Sequence, residues 1–249
     1  MDVEPIALPI TLPGQFDVDR PDSVFPLALQ NQRPDATLAD AANWVRSASA
    51  DLAARARQHG AVLFRGFPLR SPEDLDVFVA AFGFVNFPYE QSLSNAVRIN
   101  FTERVFSANE APSHVTICLH HEMAQTPVSP SRLFFFCQQP AETGGATPLC
   151  RSDRLFERLQ SERPEFANAC AEKGLLYTNV MPPENDFASG MGRSWRSTFR
   201  ADDQSQAEQR MSDLGYSYEW LPDGCLRATT PVLPAVKVLP DGRRTFYNQ

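Results

Sequence analysis

Thr116-Ile117-Cys118-Leu119-His120-His121-Glu122-Met123 is the stretch whose reading decides the fold. Its first half is apolar and partly β-branched, the pattern of a buried or half-buried strand. Side chains two apart on a strand share a face, so His120 and Glu122 are expected to project together, with His121 on the other side. An imidazole and a carboxylate converging from one strand are two of the three members of a 2-His-1-carboxylate set. That set holds non-heme Fe(II) and leaves three positions open. Alone, His-x-Glu is a short pattern that chance produces readily, and a solvated pair at a strand end is the commoner outcome, so its context must carry it.

Downstream, Gln125 to Ser131 reads as a polar loop and Leu133-Phe134-Phe135-Phe136-Cys137 as a fully buried strand. Gly144-Gly145-Ala146-Thr147-Pro148-Leu149 is a tight turn entering a short strand. Upstream, Asn86 to Ser113 is a polar, irregular connection, with a strand piece expected around Val97-Arg98-Ile99. A connection that long is usually functional or a lid. Two helices precede it. Leu38, Ala41, Val45, Ala48, Leu52 and Ala56 recur at helical spacing over Thr37 to His59, and Gly60 closes that helix. Ser71-Pro72-Glu73-Asp74 is a strong helix start, and Ala61-Val62-Leu63-Phe64 between the two is a buried strand.

Residues 1–34 are Pro-rich and aperiodic, an irregular lead-in expected to wrap the surface. Beyond the histidines, Ser152 to Lys173 reads as two short helices split near Pro164, and Gly174 to Thr178 as a strand. Asp202 to Leu214 is a polar helix and Tyr216 to Trp220 an alternating strand. Short strands follow at Cys225 to Thr230, Ala235 to Val238 and Thr245 to Asn248. No repeat or linker interrupts this order, so one domain over residues 1–249 is expected, with its body over 35–249.

The 249 residues, 43% of them hydrophobic, suffice for one large core or two small ones. Eighteen Phe with 21 Pro and 12 Gly fit a β-rich or α+β enzyme better than a helical bundle. A net charge of −7 without a basic run argues against nucleic acid. No apolar run nears the ~20 residues of a membrane span, and the first residues lack the charged and apolar regions of a signal peptide. Five widely spaced cysteines, with no Cys-x-x-Cys pair, read as free thiols in a reducing cytoplasm, with Cys118 and Cys137 filling core positions.

Several separated motifs together resemble the TauD/TfdA-like Fe(II)/2-oxoglutarate-dependent oxygenases, in the branch typified by the syringomycin-biosynthesis hydroxylase. They are Gly60-Ala61-Val62-Leu63-Phe64-Arg65-Gly66-Phe67, Leu119-His120-His121-Glu122-Met123, and Phe135-Phe136-Cys137 running on to Gly144-Gly145-Ala146-Thr147-Pro148. Trp195 with Phe199 and Asp203, then Leu226-Arg227, Pro234-Ala235-Val236 and Phe246-Tyr247-Asn248-Gln249, complete the set. The resemblance implies a mainly β fold with flanking helices, a clavaminate-synthase-like double-stranded β-helix (jelly roll). It implies that His120 and Glu122 ligate iron and that the Thr147 hydroxyl contacts 2-oxoglutarate. Molecular oxygen is then the co-reactant, and an amino-acid-like substrate, free or on a carrier protein, is hydroxylated in natural-product assembly.

The family's second iron histidine and its 2-oxoglutarate arginine lie in strands later than the Phe-x-Asn segment. The four histidines here are His59, His114, His120 and His121. The expectation is therefore an incomplete jelly roll, with weak metal affinity and little turnover from residues 1–249 alone. His59 is expected to meet the last carbonyls of its helix, and His114 to sit on a surface loop. Arg193, Arg196 and Arg200 are most simply a solvated face, but their spacing suits a substrate carboxylate or a carrier's phosphate. Two other function classes remain open: a non-catalytic relative that serves as a binding module, and a cupin-like enzyme using zinc or manganese.

Overall fold

Thr37 begins the longest helix because its hydroxyl caps the Asp40 N–H while the Asp40 carboxylate takes the Thr37 N–H at 2.9 Å. The computed structural model describes residues 6–19, 22–94, 96, 98–108, 116–186 and 192–249. By its contacts the chain divides into two compact units. The first comprises Met1–Asn86, Asn100–Phe106 and Phe134–Ala141, and the second Phe87–Ile99, Ser107–Leu133 and Glu142–Gln249.

In the first unit, strand β1 (Ala7–Ile10) pairs antiparallel with β2 (Leu27–Asn31). Helix α1 (Leu38–His59) then carries the chain to β3 (Val62–Arg65), parallel to β2. Helix α2 (Pro72–Ala80) follows, opened by a Ser71–Asp74 capping box and Pro72 in its first turn. The residues that make α1 amphipathic, Ala41, Ala42, Val45 and Leu52, are buried against Leu27 and Leu29 of β2. Around them Trp44, Phe64, Phe67, Phe78 and Phe82 meet mostly edge to face at 5.4–6.4 Å, the arrangement that ring quadrupoles favour.

The expected lead-in over 1–34 is thus corrected. It holds two strands, and β2 lies at the centre of its sheet. Its short apolar run gives no periodicity that separates a strand from an extended loop. His59 also departs from expectation: its Nδ1 lies 2.8 Å from the Val24 carbonyl, not against its own helix end.

In the second unit a short 3₁₀ turn (Tyr89–Gln91) precedes the histidine segment. Helices α3 (Ser152–Glu162) and α4 (Pro164–Lys173) come next, broken at Arg163 ahead of the proline as expected. Then follow β4 (Thr178–Met181), α5 (Trp195–Phe199), α6 (Gln204–Asp213), β5 (Ser217–Trp220), β6 (Leu226–Thr229), β7 (Val236–Val238) and β8 (Arg244–Phe246). Strand β6 is flanked antiparallel by β4 and β5, and β7 pairs with β8.

One core gathers Met181, Trp195, Phe199, Ala207, Met211, Leu226 and Ala228, with the Trp195 indole N–H donating to the Gly224 carbonyl. A second joins Phe156, Ala167 and Cys170 of α3 and α4 to Ala235 and Phe246. At its edge Asp153 is buried and accepts from Arg151 at 2.5 and 3.0 Å and from Arg243 at 2.6 Å. Burial pushes that carboxyl up, but the two guanidinium groups outweigh it and hold it well below the usual carboxylate range.

Helices and small sheets are therefore mixed, and among the described residues no sheet closes into a barrel. No described helix is long and apolar enough to cross a membrane.

Candidate functional site

The histidine segment is not a strand. Residues 116–119 are exposed and irregular, and His120 leads into a turn over 122–125. A β-branched apolar run becomes a strand only with a neighbour to take its N–H and C=O groups, and no named strand pairs with this one. The same correction applies to Leu133–Cys137. That run is irregular, with Leu133, Phe135 and Cys137 exposed and Phe134 and Phe136 half-buried, the Phe134 ring lying against Phe82 at 5.1 Å. Cys118 is likewise exposed rather than a core filler. The expected strand after Gly144-Gly145 is also coil, and Thr147 within it is exposed.

Even so, the two candidate ligands have defined surroundings. His120 is exposed, and its Nδ1 lies 2.7 Å from the Cys118 carbonyl. A carbonyl there selects the tautomer that protonates Nδ1 and leaves the Nε2 lone pair for a metal. Glu122 is half-buried, and its Oε1 accepts from Arg98 Nη2 at 3.1 Å. Arg98 in turn donates to the Ser107 carbonyl and lies over the Tyr89 ring. No pattern in the sequence links Arg98 to a carboxylate 24 residues later, and the expected strand around it has Val97 outside the described residues.

His121 has neighbours of its own. Its backbone N–H donates to the Asn248 carbonyl at 2.8 Å, and its ring meets Tyr247 at 4.7 Å. Lys237 Nζ lies over the same tyrosine ring. Burial, helped by the Lys237 charge, holds the His121 imidazole below its ordinary value.

The three arginines do not share one role. Arg193 is half-buried and donates to the Ser92, Ser94 and Ser197 carbonyls at 2.7–3.2 Å, and to the Ser92 and Ser197 hydroxyls. That binds α5 to the 92–94 segment. Arg196 lies over the Trp195 ring at 4.4 Å and donates to the Asp202 carbonyl. Arg200 is exposed and ends α5 in a left-handed conformation.

Imidazole and ionised carboxylate are donor types that suit Fe(II). Among the described residues, no group of three or more His, Cys, Asp or Glu side chains gathers for a metal. His114 lies outside the described residues. The donors therefore fit iron in kind, and Glu122 holds a guanidinium where a metal would bind.

The sequence carries a match that decides the family. Residues 23–245 match the model of the taurine catabolism dioxygenase TauD, TfdA family. The chain belongs to that family. It is 44% identical to a clavaminate synthase-like protein of Arabidopsis thaliana over 180 residues, which are 72% of this chain and 54% of the relative. It is 26% identical to the dapdiamide synthesis protein DdaC of Enterobacter agglomerans over 193 residues, 77% of this chain and 55% of that protein. The chain spans about half the length of these curated relatives. The matched region contains both His120 and Glu122, so the motif on which the sequence reading turned lies inside the TauD/TfdA homology.

Proposed function

We propose that this TauD/TfdA family chain acts in an Fe(II)/2-oxoglutarate-dependent dioxygenase, on the double-stranded β-helix that the family resemblance implies, as one domain over residues 1–249. The observation that carries the reading is the family match over residues 23–245 with His120-His121-Glu122 inside it. Bound iron and 2-oxoglutarate supply the oxidising chemistry with molecular oxygen, while the protein positions and shields the groups. His120 offers Nε2, oriented through the Nδ1 contact to the Cys118 carbonyl, and Glu122 offers its carboxylate once Arg98 yields it. Thr147 presents its hydroxyl to a 2-oxoglutarate carboxylate. The substrate in this reading is amino-acid-like, as suits a relative named for dapdiamide synthesis.

Co(II) or Fe(II) titration of the wild type, His120→Ala and Glu122→Ala, followed by absorption and by succinate release from 2-oxoglutarate, tests the reading. Each variant should bind metal at least about tenfold more weakly, the scale on which even the groups supporting a ligand act. Thr147→Val should raise the 2-oxoglutarate requirement about tenfold, the weight of one hydrogen bond to a charged group. A second reading, a binding module that uses no metal, is favoured by the Arg98–Glu122 ion pair. Metal affinity unchanged by both ligand variants would select it, and tight zinc or manganese without succinate would select the cupin-like chemistry.

A further inference from the structure

The two candidate metal ligands differ in what already holds them. His120 is exposed, with a neutral carbonyl at its Nδ1. Glu122 already carries a cation: its Oε1 accepts from Arg98 Nη2 at 3.1 Å, and the two side chains are only 18% and 12% exposed. A surface ion pair contributes little, but a pair this far from water leaves an uncompensated charge when either partner goes.

Arg98 is held without help from Glu122. Its Nη1 donates to the Ser107 carbonyl at 3.3 Å, and its guanidinium carbon lies 5.2 Å from the centre of the Tyr89 ring. Tyr89 is itself buried, and its hydroxyl donates to the Ala96 carbonyl at 2.7 Å. On the carboxylate's side, Met123 is buried in a left-handed conformation and the Ala124 N–H donates to the His121 carbonyl, which fixes the turn that carries Glu122. The two charges thus meet from supported positions, 24 residues apart in the chain.

That arrangement bears on a metal. A divalent ion on Glu122 meets a guanidinium one hydrogen bond away, and like charges that close repel strongly where water is scarce. Without the ion, the same guanidinium spares the carboxylate from lying unpaired away from water.

We propose that Arg98 is the resident counter-ion of Glu122 and competes with the metal for it, so that metal enters only as the guanidinium leaves the carboxylate. Arg98 thus sets the metal affinity of the site without being a ligand, a role that rests on the reading of Glu122 as a metal ligand.

Co(II) titration by calorimetry on the intact chain tests this, with thermal unfolding of each metal-free variant to show that it folds. Arg98→Met should bind Co(II) about tenfold more tightly than the wild type, the weight of one hydrogen bond between charged groups. Arg98→Gln keeps an N–H for the Ser107 carbonyl and should act in the same direction. Arg98→Lys keeps a cation and should bind as weakly as the wild type. A purely supporting role for Arg98 predicts the opposite, weaker binding in all three, as when a ligand loses its orienting partner. The proposal is overturned if neither folded Arg98→Met nor folded Arg98→Gln binds Co(II) more tightly than the wild type, or if Arg98→Lys tightens binding as much as they do. Glu122→Ala separates the two readings. Weaker Co(II) binding there, with no gain in the Arg98 variants, overturns the competition alone, whereas unchanged binding overturns the metal-ligand reading and the competition with it.

Discussion

Two apolar runs of this chain, 61–64 and 133–136, have similar hydropathy and opposite fates. Val62, Leu63 and Phe64 belong to β3, hydrogen-bonded in parallel register to Leu27, Ala28 and Leu29. Phe64 meets the rings of Trp44, Phe67, Phe78 and Phe82 there. Phe135 is 69% exposed, and the backbone around it joins no sheet. Composition does not separate the two. The first run follows a capped helix that returns the chain beside β2, so a partner strand is at hand when it forms. The second is reached from a turn and offers its groups to water. An apolar run is thus a request for a partner, and the neighbouring topology answers it.

Substitutions in the two regions sharpen that contrast. Phe78→Ala opens a cavity among the rings and should cost about 3–5 kcal/mol, read by urea unfolding with Trp44 fluorescence. Phe135→Ala should change stability by no more than about 0.5 kcal/mol. Equal costs would break the comparison and place the 133–136 run in a core.

Next in size is Gly174→Ala, about 3 kcal/mol. Gly174 has φ 70° and ψ −161°, a region nearly reserved for glycine, and a Cβ there would lie 2.5 Å from the Leu233 carbonyl oxygen. Gly66→Ala, which also has positive φ, should cost less, because its nearest neighbour is the movable end of the Gln30 side chain. Thermal unfolding of both variants would show it, and the reverse order would contradict it.

Asp153→Asn should follow, at about 1.5–3 kcal/mol near neutral pH, the weight of hydrogen bonds to charged partners. The Asp153 carboxyl is held below its ordinary value in the fold. Its contribution is therefore complete above the unfolded-state pKa of about 4 and fades as pH falls below that. The gap between wild type and variant should stay constant above about pH 5 and close in acid. A gap that stays undiminished between pH 5 and pH 2 would show that packing, not charge, is the cause.

The smallest effect belongs to His120→Ala. Its exposed ring should leave stability within about 0.5 kcal/mol of the wild type, whatever it does to metal binding. A large loss would reveal packing around His120 that its exposure does not suggest.

Much of this molecule was legible in its sequence because the signals are local. Thr37 with Asp40, Ser71 with Pro72 and Asp74, and Pro164 after Arg163 set helix ends through hydrogen bonds and dihedral limits that span four residues. Gly60 marks the stop of α1 in the same way, whereas Gly174, read as the start of a strand, caps α4 and the strand begins only at Thr178. The alternation of Ser217 to Trp220 and the short run Leu226 to Thr229 also became strands as read, since each has the other as its neighbour. His120 and Glu122 stand out by type and spacing, and the family match over residues 23–245 encloses both positions.

Tertiary structure alone decided the rest. It made β2 the centre of a sheet, left 116–119 and 133–137 unpaired, and set Arg98 on Glu122. Each of those outcomes depends on a partner far away in the chain. A sequence states which groups need hydrogen bonds, burial or counter-charge, whereas only the packed chain determines which distant residue supplies them.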